Sequence, residues 1–323
     1  MKTFTFKAVI LLFLLFSPTY VHAQLPKITF APQWLPQAQF AGYYVAQEKG
    51  FYKEAGIEVE IVHPSANIQA TALLSSGKAD LISLFLITGM SAKNQGLDIV
   101  NIAQISQHSA ILFVTKKFSG IDKLGKLDGK KIGIWKSGFD EVPKALMKEK
   151  SLNVEWVPIL STVNLFMMDG IDAMTVMWYN EYNNIINCGV NEDELNVFPV
   201  AEYGYDIPED GLYCLKSTYE KRKPELLKFL EATLKGWDYA AANKTIAIDM
   251  VLERMKQAHI PANRVHQEWM LDKVLEMIMI SDKKTKRGEL LESDFLKAAG
   301  ILDNSTKSKW KYTFAEFYKP LDR

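Results

Sequence analysis

Residues 33–46 read Gln33-Trp34-Leu35-Pro36-Gln37-Ala38-Gln39-Phe40-Ala41-Gly42-Tyr43-Tyr44-Val45-Ala46, or QWLPQAQFAGYYVA. A tryptophan and a proline stand directly before an aromatic-rich apolar run, and a short strand pattern over 27–31 stands before them. The apolar spacing predicts a helix over 37–49 that Gly50 ends. Open α/β sheets meet their ligands at such strand-to-helix turns. Trp34, Gln37 and one of Tyr43 and Tyr44 are therefore candidate ligand contacts. Adjacent helix positions do not share a face, so the other tyrosine is expected in the core.

The same alternation continues outward. Ile57-Glu58-Val59-Glu60-Ile61 alternates apolar and acidic side chains, the period-two pattern of a strand with one wet face. Helices are expected over 67–76 and 88–95, stopped by Gly77 and Gly96, with strands over 80–85 and 99–105. Further on come strands over 131–135, 154–159 and 173–176, and a helix over 139–150. Strands alternating with helices argue for sheets covered by helices, an α/β chain. Ser75-Ser76-Gly77-Lys78-Ala79-Asp80-Leu81-Ile82-Ser83 and Met168-Asp169-Gly170-Ile171-Asp172-Ala173-Met174-Thr175-Val176 share a local order of helix end, glycine, aspartate and strand. That near-repeat fits two lobes of similar plan. From Pro224, a residue suited to a helix first turn, the chain reads as helices over 225–242, 246–257, 263–280 and 293–299.

The first 23 residues carry Lys2 and Lys7, an apolar run from Ala8 to Phe16, and Val21-His22-Ala23 before Gln24. This is the layout of a secretory signal peptide cleaved after Ala23, and the run is too short for the ~30 Å of a bilayer core. Its removal leaves 36 basic against 38 acidic residues in 300, without the basic footprint of a nucleic-acid binder. A chain of this length exceeds one ordinary core, so two lobes are expected. Export permits a disulfide between Cys188 and Cys214, but a chain this large needs no staple, and free buried thiols are the expectation.

Signatures of catalysis are scarce. The chain has no G-x-S-x-G, no G-x-x-x-x-G-K-[ST], no G-x-G-x-x-G and no H-x-x-x-H pair. Lys131-Ile132-Gly133-Ile134-Trp135 leads through Lys136-Ser137-Gly138 into a helix, where free N–H groups attract polar ligand oxygens, although Ser137 also suits a plain cap. Met177-Trp178-Tyr179-Asn180-Glu181-Tyr182 follows a strand. Rings for stacking, an amide and a carboxylate in one stretch suit an aminated aromatic heterocycle. Packing of Trp178 and Tyr182 between lobes, with Asn180 starting a helix, is the structural alternative.

These landmarks, taken together, resemble a family. Trp34-Leu35-Pro36, Phe40-Ala41-Gly42-Tyr43-Tyr44-Val45-Ala46, Lys49-Gly50-Phe51-Tyr52-Lys53-Glu54-Ala55-Gly56-Ile57, Ser76-Gly77-Lys78-Ala79-Asp80, Leu127-Asp128-Gly129-Lys130-Lys131-Ile132-Gly133 and Tyr179-Asn180-Glu181 are similar to the thiamine-pyrimidine-synthase-like branch of periplasmic binding proteins, relatives of the nitrate, sulfonate and taurine binders. The likeness runs over most of residues 26–240. It implies the type II periplasmic binding protein fold, two α/β lobes with a hinge and an interlobe ligand cleft. Crossing strands are expected near 110–115 and 205–215. The division would be a signal peptide over 1–23, a discontinuous first lobe over 24–112 and 212–323 with the C-terminal helices, and a second lobe over 113–211.

The resemblance further implies a monomeric periplasmic solute-binding component of an ABC importer, with a membrane permease as partner. The ligand would be a planar heterocycle such as a thiamine-precursor pyrimidine or a riboflavin-like compound, held without cofactor or metal. Its expected contacts are Trp34, Gln37, Tyr43 or Tyr44, Trp135, Ser137, Gly138, Trp178, Tyr179, Asn180 and Glu181. Eukaryotic members of this branch instead make the thiamine pyrimidine, with a lysine that binds pyridoxal phosphate, a histidine consumed as substrate and a cysteine cluster holding iron. Here Leu84 stands at the lysine position and Thr88 at the histidine position, and only two separated cysteines exist. A Schiff base needs an amine, and leucine has none. A ligand-sensing subunit of a membrane kinase is the other alternative.

Overall fold

The computed structural model describes residues 24–65, 68–135, 139–160, 162–279, 286–305 and 309–322. Residues 1–23, where a signal peptide is expected, and Asn67, Ser137 and Gly138 lie outside them. The first sheet is built from β1 (Lys27–Ala31), β2 (Glu58–Ile61), β3 (Leu81–Phe85) and β4 (Ile99–Gln104), and the second from β5 (Ile111–Lys116), β6 (Lys131–Trp135), β7 (Glu155–Ile159), β8 (Ala173–Met177) and β9 (Leu195–Pro199). The chain then returns, and β10 (Asp210–Leu215) inserts into the first sheet. The orders are β2-β1-β3-β10-β4 and β7-β6-β8-β5-β9. In each, three parallel strands are followed by one antiparallel strand delivered from the other half of the chain. The strands expected near 110–115 and 205–215 are β5 and β10, each lying within one sheet; the chain passes between the sheets over 105–110 and 204–209.

The near-repeat marks the same corner in both sheets. Asp80 donates its N–H to the Thr29 carbonyl, and its carboxylate accepts the Thr29 N–H at 2.8 Å. Asp172 does the same to Lys131, with a carboxylate contact of 2.8 Å. In each sheet an aspartate just before one parallel strand thereby satisfies both backbone groups of a residue in the neighbouring strand, where the pairing of the two strands begins.

Helices cover both sheets: α1 (Ala41–Glu48), α2 (Phe51–Glu54), α3 (Ala70–Ser75), α4 (Leu86–Asn94), α5 (Glu141–Glu149), α6 (Asn164–Met167), α7 (Glu181–Asn187), α8 (Lys216–Ala242), α9 (Lys244–Gln257), α10 (Arg264–Ile278), α11 (Glu292–Ser305) and α12 (Phe314–Phe317). The helix expected over 37–49 is a 3-10 turn, Ala38–Phe40, running into α1. α8 starts earlier than expected, at Lys216, but breaks at Arg222, so Pro224 still sits in the first turn of its second part. α8 and α9 pack on α1, and α10 packs on α9 and on the 3-10 turn. α11 touches both α4 and α5, one helix from each half.

The crossings run side by side and are tied together. Asp206 accepts the Ser109 N–H and the His108 Nδ1–H, both at 2.8 Å, and Glu209 accepts the Ala110 N–H at 2.6 Å. Both cysteines are free, but only Cys214 is buried. Cys188 is exposed because it closes α7 at the Gly189 turn, beyond the packed face. Among the described residues no helix is long and apolar enough to cross a membrane.

Candidate functional site

The carboxyl ends of the parallel strands in the two sheets face each other across a cleft. Gln33 and Trp34 follow β1, Phe85 ends β3, Trp135 ends β6, and Met177, Tyr179, Asn180 and Glu181 continue from β8; Gln37, Gln39 and Phe139 complete the lining. This is the crevice in which open α/β sheets collect ligands, since the loops there carry side chains on a rigid base. The space measures about 390 Å³ with its open mouth included.

Aromatic rings from the two halves meet edge to face. The Trp34 ring centroid lies 6.0 Å from Trp135 at 89° and 6.5 Å from Phe139 at 88°. Phe139 in turn stands 4.9 Å from Phe85 at 83°. Such T-shaped pairs are favourable but leave ring faces uncovered. A flat guest slipped between them gains stacking area that the pairs themselves do not use.

Behind the rings lies a buried polar layer. Gln37 donates to Gln39 Oε1 at 2.6 Å, Gln39 donates to Asp210 Oδ2 at 2.9 Å, and Gln33 donates to the other Asp210 oxygen. Gln33 is itself fixed, because its Oε1 accepts the Phe85 N–H at 3.2 Å and its own N–H reaches Ser83 Oγ at 3.0 Å. Glu181 accepts the Met177 N–H and Asn180 Nδ2, both at 2.9 Å. Burial pushes the carboxyls of Glu181 and Asp210 up to about 7, and burial pushes that of Glu209 well above its usual range, beside the Tyr179 hydroxyl. Of these three carboxyls Glu181 lines the cleft and Asp210 and Glu209 stand behind it, and none forms an ion pair with a lysine or arginine among the described residues. Buried carboxyls without a cation stay partly neutral.

Of the residues singled out in the sequence, Trp34, Gln37, Trp135, Tyr179, Asn180 and Glu181 line this cleft. Tyr43 and Tyr44 do not; both are buried in the core. Tyr43 packs 4.5 Å from Phe30 and 6.0 Å from Trp237, between β1 and α8. Tyr44 acts at one remove. Its hydroxyl lies 3.0 Å from His63 Nε2, and His63 Nδ1 donates to the Trp34 carbonyl at 2.7 Å. Burial holds the His63 ring neutral, down at about 4, so Tyr44 donates to Nε2 and the three residues brace the turn that carries Trp34.

Trp178 also falls outside the lining. Trp178 and Tyr179 are the central residues of the turn that the Asn180 N–H closes on the Met177 carbonyl at 3.0 Å, and Tyr179 takes the inward side. Trp178 is half-exposed, with the Lys273 ammonium 4.1 Å over its ring and its carbonyl accepting Trp269 Nε1 at 3.0 Å. Gln33, Gln39, Phe85, Phe139 and Met177 are lining residues that sequence reasoning missed, as it missed Asp210 and Glu209 behind them. The glutamines at 33, 37 and 39 were visible as a set, and the Glu209-Asp210 pair stands next to an otherwise apolar strand. Leu84 is buried in β3 opposite Gly211, and the described lining holds no lysine or histidine.

Comparison with known proteins yields one family and two kinds of relative. Residues 37–247 match the model described as NMT1/THI5 like. A 4-amino-5-hydroxymethyl-2-methylpyrimidine phosphate synthase of Saccharomyces cerevisiae is 28% identical over 232 residues, 67% of this chain and 68% of that protein. A riboflavin-binding protein of Chloroflexus aurantiacus is 27% identical over 246 residues, covering 73% and 68%. A formylaminopyrimidine-binding protein of Halalkalibacterium halodurans is 23% identical over 252 residues, 75% of each chain. Among solved structures, the periplasmic aliphatic sulphonate binding protein of Escherichia coli superposes with a TM-score of 0.67 at 14% identity, covering 86% of this chain and 91% of that one. The fold is that of the periplasmic binding proteins, with two α/β lobes and the cleft between them.

Proposed function

The chain belongs to the NMT1/THI5-like family, and from that premise we propose that it is the extracytoplasmic binding component of an ABC importer, holding a planar aminated heterocycle and releasing it unchanged. The ligand would be a thiamine-precursor pyrimidine or a riboflavin-like compound. One observation carries this: rings from opposite sheets, Trp34 against Trp135 and Phe139, flank a cleft whose polar edge is Asn180 and Glu181. Faces would stack on the rings, and ring amino groups would donate to the Glu181 carboxylate.

Under this reading the lobes are residues 24–112 with 212–323, and 113–211, and they close about the crossings at 105–110 and 204–209. The closed form is what a permease would recognise. Export would follow cleavage after Ala23, and the protein would work as a monomer.

A second reading, pyrimidine synthesis, draws support from the yeast synthase relatives. Against it stand Leu84 and Thr88 and a described lining without an amine. A thermal-shift panel of thiamine, its pyrimidine precursors, riboflavin and taurine separates the cases, with an absorbance scan after adding pyridoxal phosphate. A ligand at a hundredfold excess over Kd stabilises the fold by about 2.7 kcal/mol. A shift with a flat ring and no aldimine band is expected. A shift with taurine alone, or a new band, would reverse the assignment.

A further inference from the structure

Consecutive residues of α10 reach both halves of the cleft. His266 is buried, and its imidazole meets two amide oxygens that follow β8: Nδ1 lies 2.8 Å from Asn183 Oδ1 and Nε2 lies 3.1 Å from Asn180 Oδ1. Its neighbour Gln267, buried as well, accepts the Ala38 N–H at 2.8 Å, in the 3-10 turn that follows β1 and Trp34. One turn along, Trp269 donates to the Trp178 carbonyl at 3.0 Å, and its ring lies 6.1 Å from that of Tyr182. α10 packs on α9 and the 3-10 turn, so its fixed side is the first half and its polar grip is on the second.

Asn180 is the point where this grip meets the ligand site. Its Nδ2 donates to Glu181 Oε1 at 2.9 Å, which turns its Oδ1 toward His266 and requires a proton on Nε2. Asn183 Oδ1 also accepts from Asn187 Nδ2 at 3.0 Å. A doubly protonated ring donates to both oxygens. A neutral ring keeps the bond to Asn180 and takes an N–H from Asn183 once the Asn183 and Asn187 amides turn over together. In either state Asn180 is held in the same orientation, with its N–H on Glu181.

We propose that α10 is a latch across the cleft, in which His266 clamps Asn180 and Asn183 while Gln267 holds the Ala38 amide, so that shutting the cleft and setting the Asn180 amide are one event. His266 is then a positioning residue, acting on a ligand through Asn180 and Glu181. The inference rests on the cleft being a binding site that opens and closes, yet the latch itself is measurable without any ligand.

Cys188 is exposed and Cys214 buried, so a nitroxide on Cys188 and a second at position 53, introduced through Lys53→Cys at an exposed position of α2, report the separation of the halves. Pulsed electron resonance on the otherwise unaltered chain is expected to give a short, narrow distance distribution. His266→Leu should lengthen and broaden it at an unchanged melting temperature. His266→Gln, whose amide still donates to Asn180, should restore it. The same distribution in all three proteins overturns the latch. Should His266→Leu fail to fold, the imidazole nitrogen resonances of the unaltered protein decide. A permanently protonated Nε2 between about pH 6 and 8 upholds the latch, and free exchange between tautomers overturns it. Neither result alters what the ligand panel reads.

Discussion

Glu181 and Asp210 are carboxyls whose burial pushes both up to about 7. Their folded values lie above the unfolded ones, so each contributes stability that is fully present below the unfolded value and lost as pH rises to about 7. Glu181→Gln keeps an acceptor for the Met177 N–H and cannot ionise. In urea denaturation it should exceed the unaltered protein by about 1–3 kcal/mol at roughly pH 8, with the gap closing near pH 4. A gap that widens on acidification would mean the carboxylate is stabilised here rather than strained. For the aromatic wall, Trp34→Ala should weaken binding of whichever heterocycle the panel identifies by about 10- to 100-fold, in line with ~1–3 kcal/mol for a ring stacked on an aromatic side chain. Trp178→Ala should leave that affinity unchanged by calorimetry, because its ring stands outside the lining.

At the scale of elements, α1 and α8 cross where Gly42 meets Gly236. A methyl group on Gly42 would overlap the Trp237 ring, and one on Gly236 would overlap the Gly42 carbonyl. Gly42→Ala is expected to destabilise by about 3 kcal/mol, read from the urea midpoint at constant slope. Asp172→Ala, which strips the acceptor from the Lys131 N–H, should cost about 1–2 kcal/mol. The element plan was legible because its signals are local: alternation in β2, glycine stops after α1 and α3, and the aspartate before β3 and again before β8. β9 was not, since Leu195–Pro199 is a strand only through its pairing with β5. The cleft was half legible. Trp34 and Asn180-Glu181 stood out by composition at strand ends. Gln33 and Asp210 did not, because they are joined across 177 positions of sequence, and an amide that braces a distant carboxyl leaves no periodic trace. Tyr43 and Tyr44 misled because an aromatic run before a cleft and one inside a core look alike until α8 is placed.

Over the whole molecule, the two sheets repeat one topology and present the same strand ends to each other, which makes the space between them the natural place for a guest. Trp34 meets Trp135 edge to face across that space, and α10 holds hydrogen bonds to both sides of it. What separates carrier from catalyst is the fate of the guest. Equilibrium dialysis against the same panel, followed by mass spectrometry of the material released on denaturing the protein, measures this directly. One flat heterocycle retained at one per chain and recovered with its mass unchanged is the expected result. A released compound of altered mass, or retention of taurine in place of every ring, would contradict it.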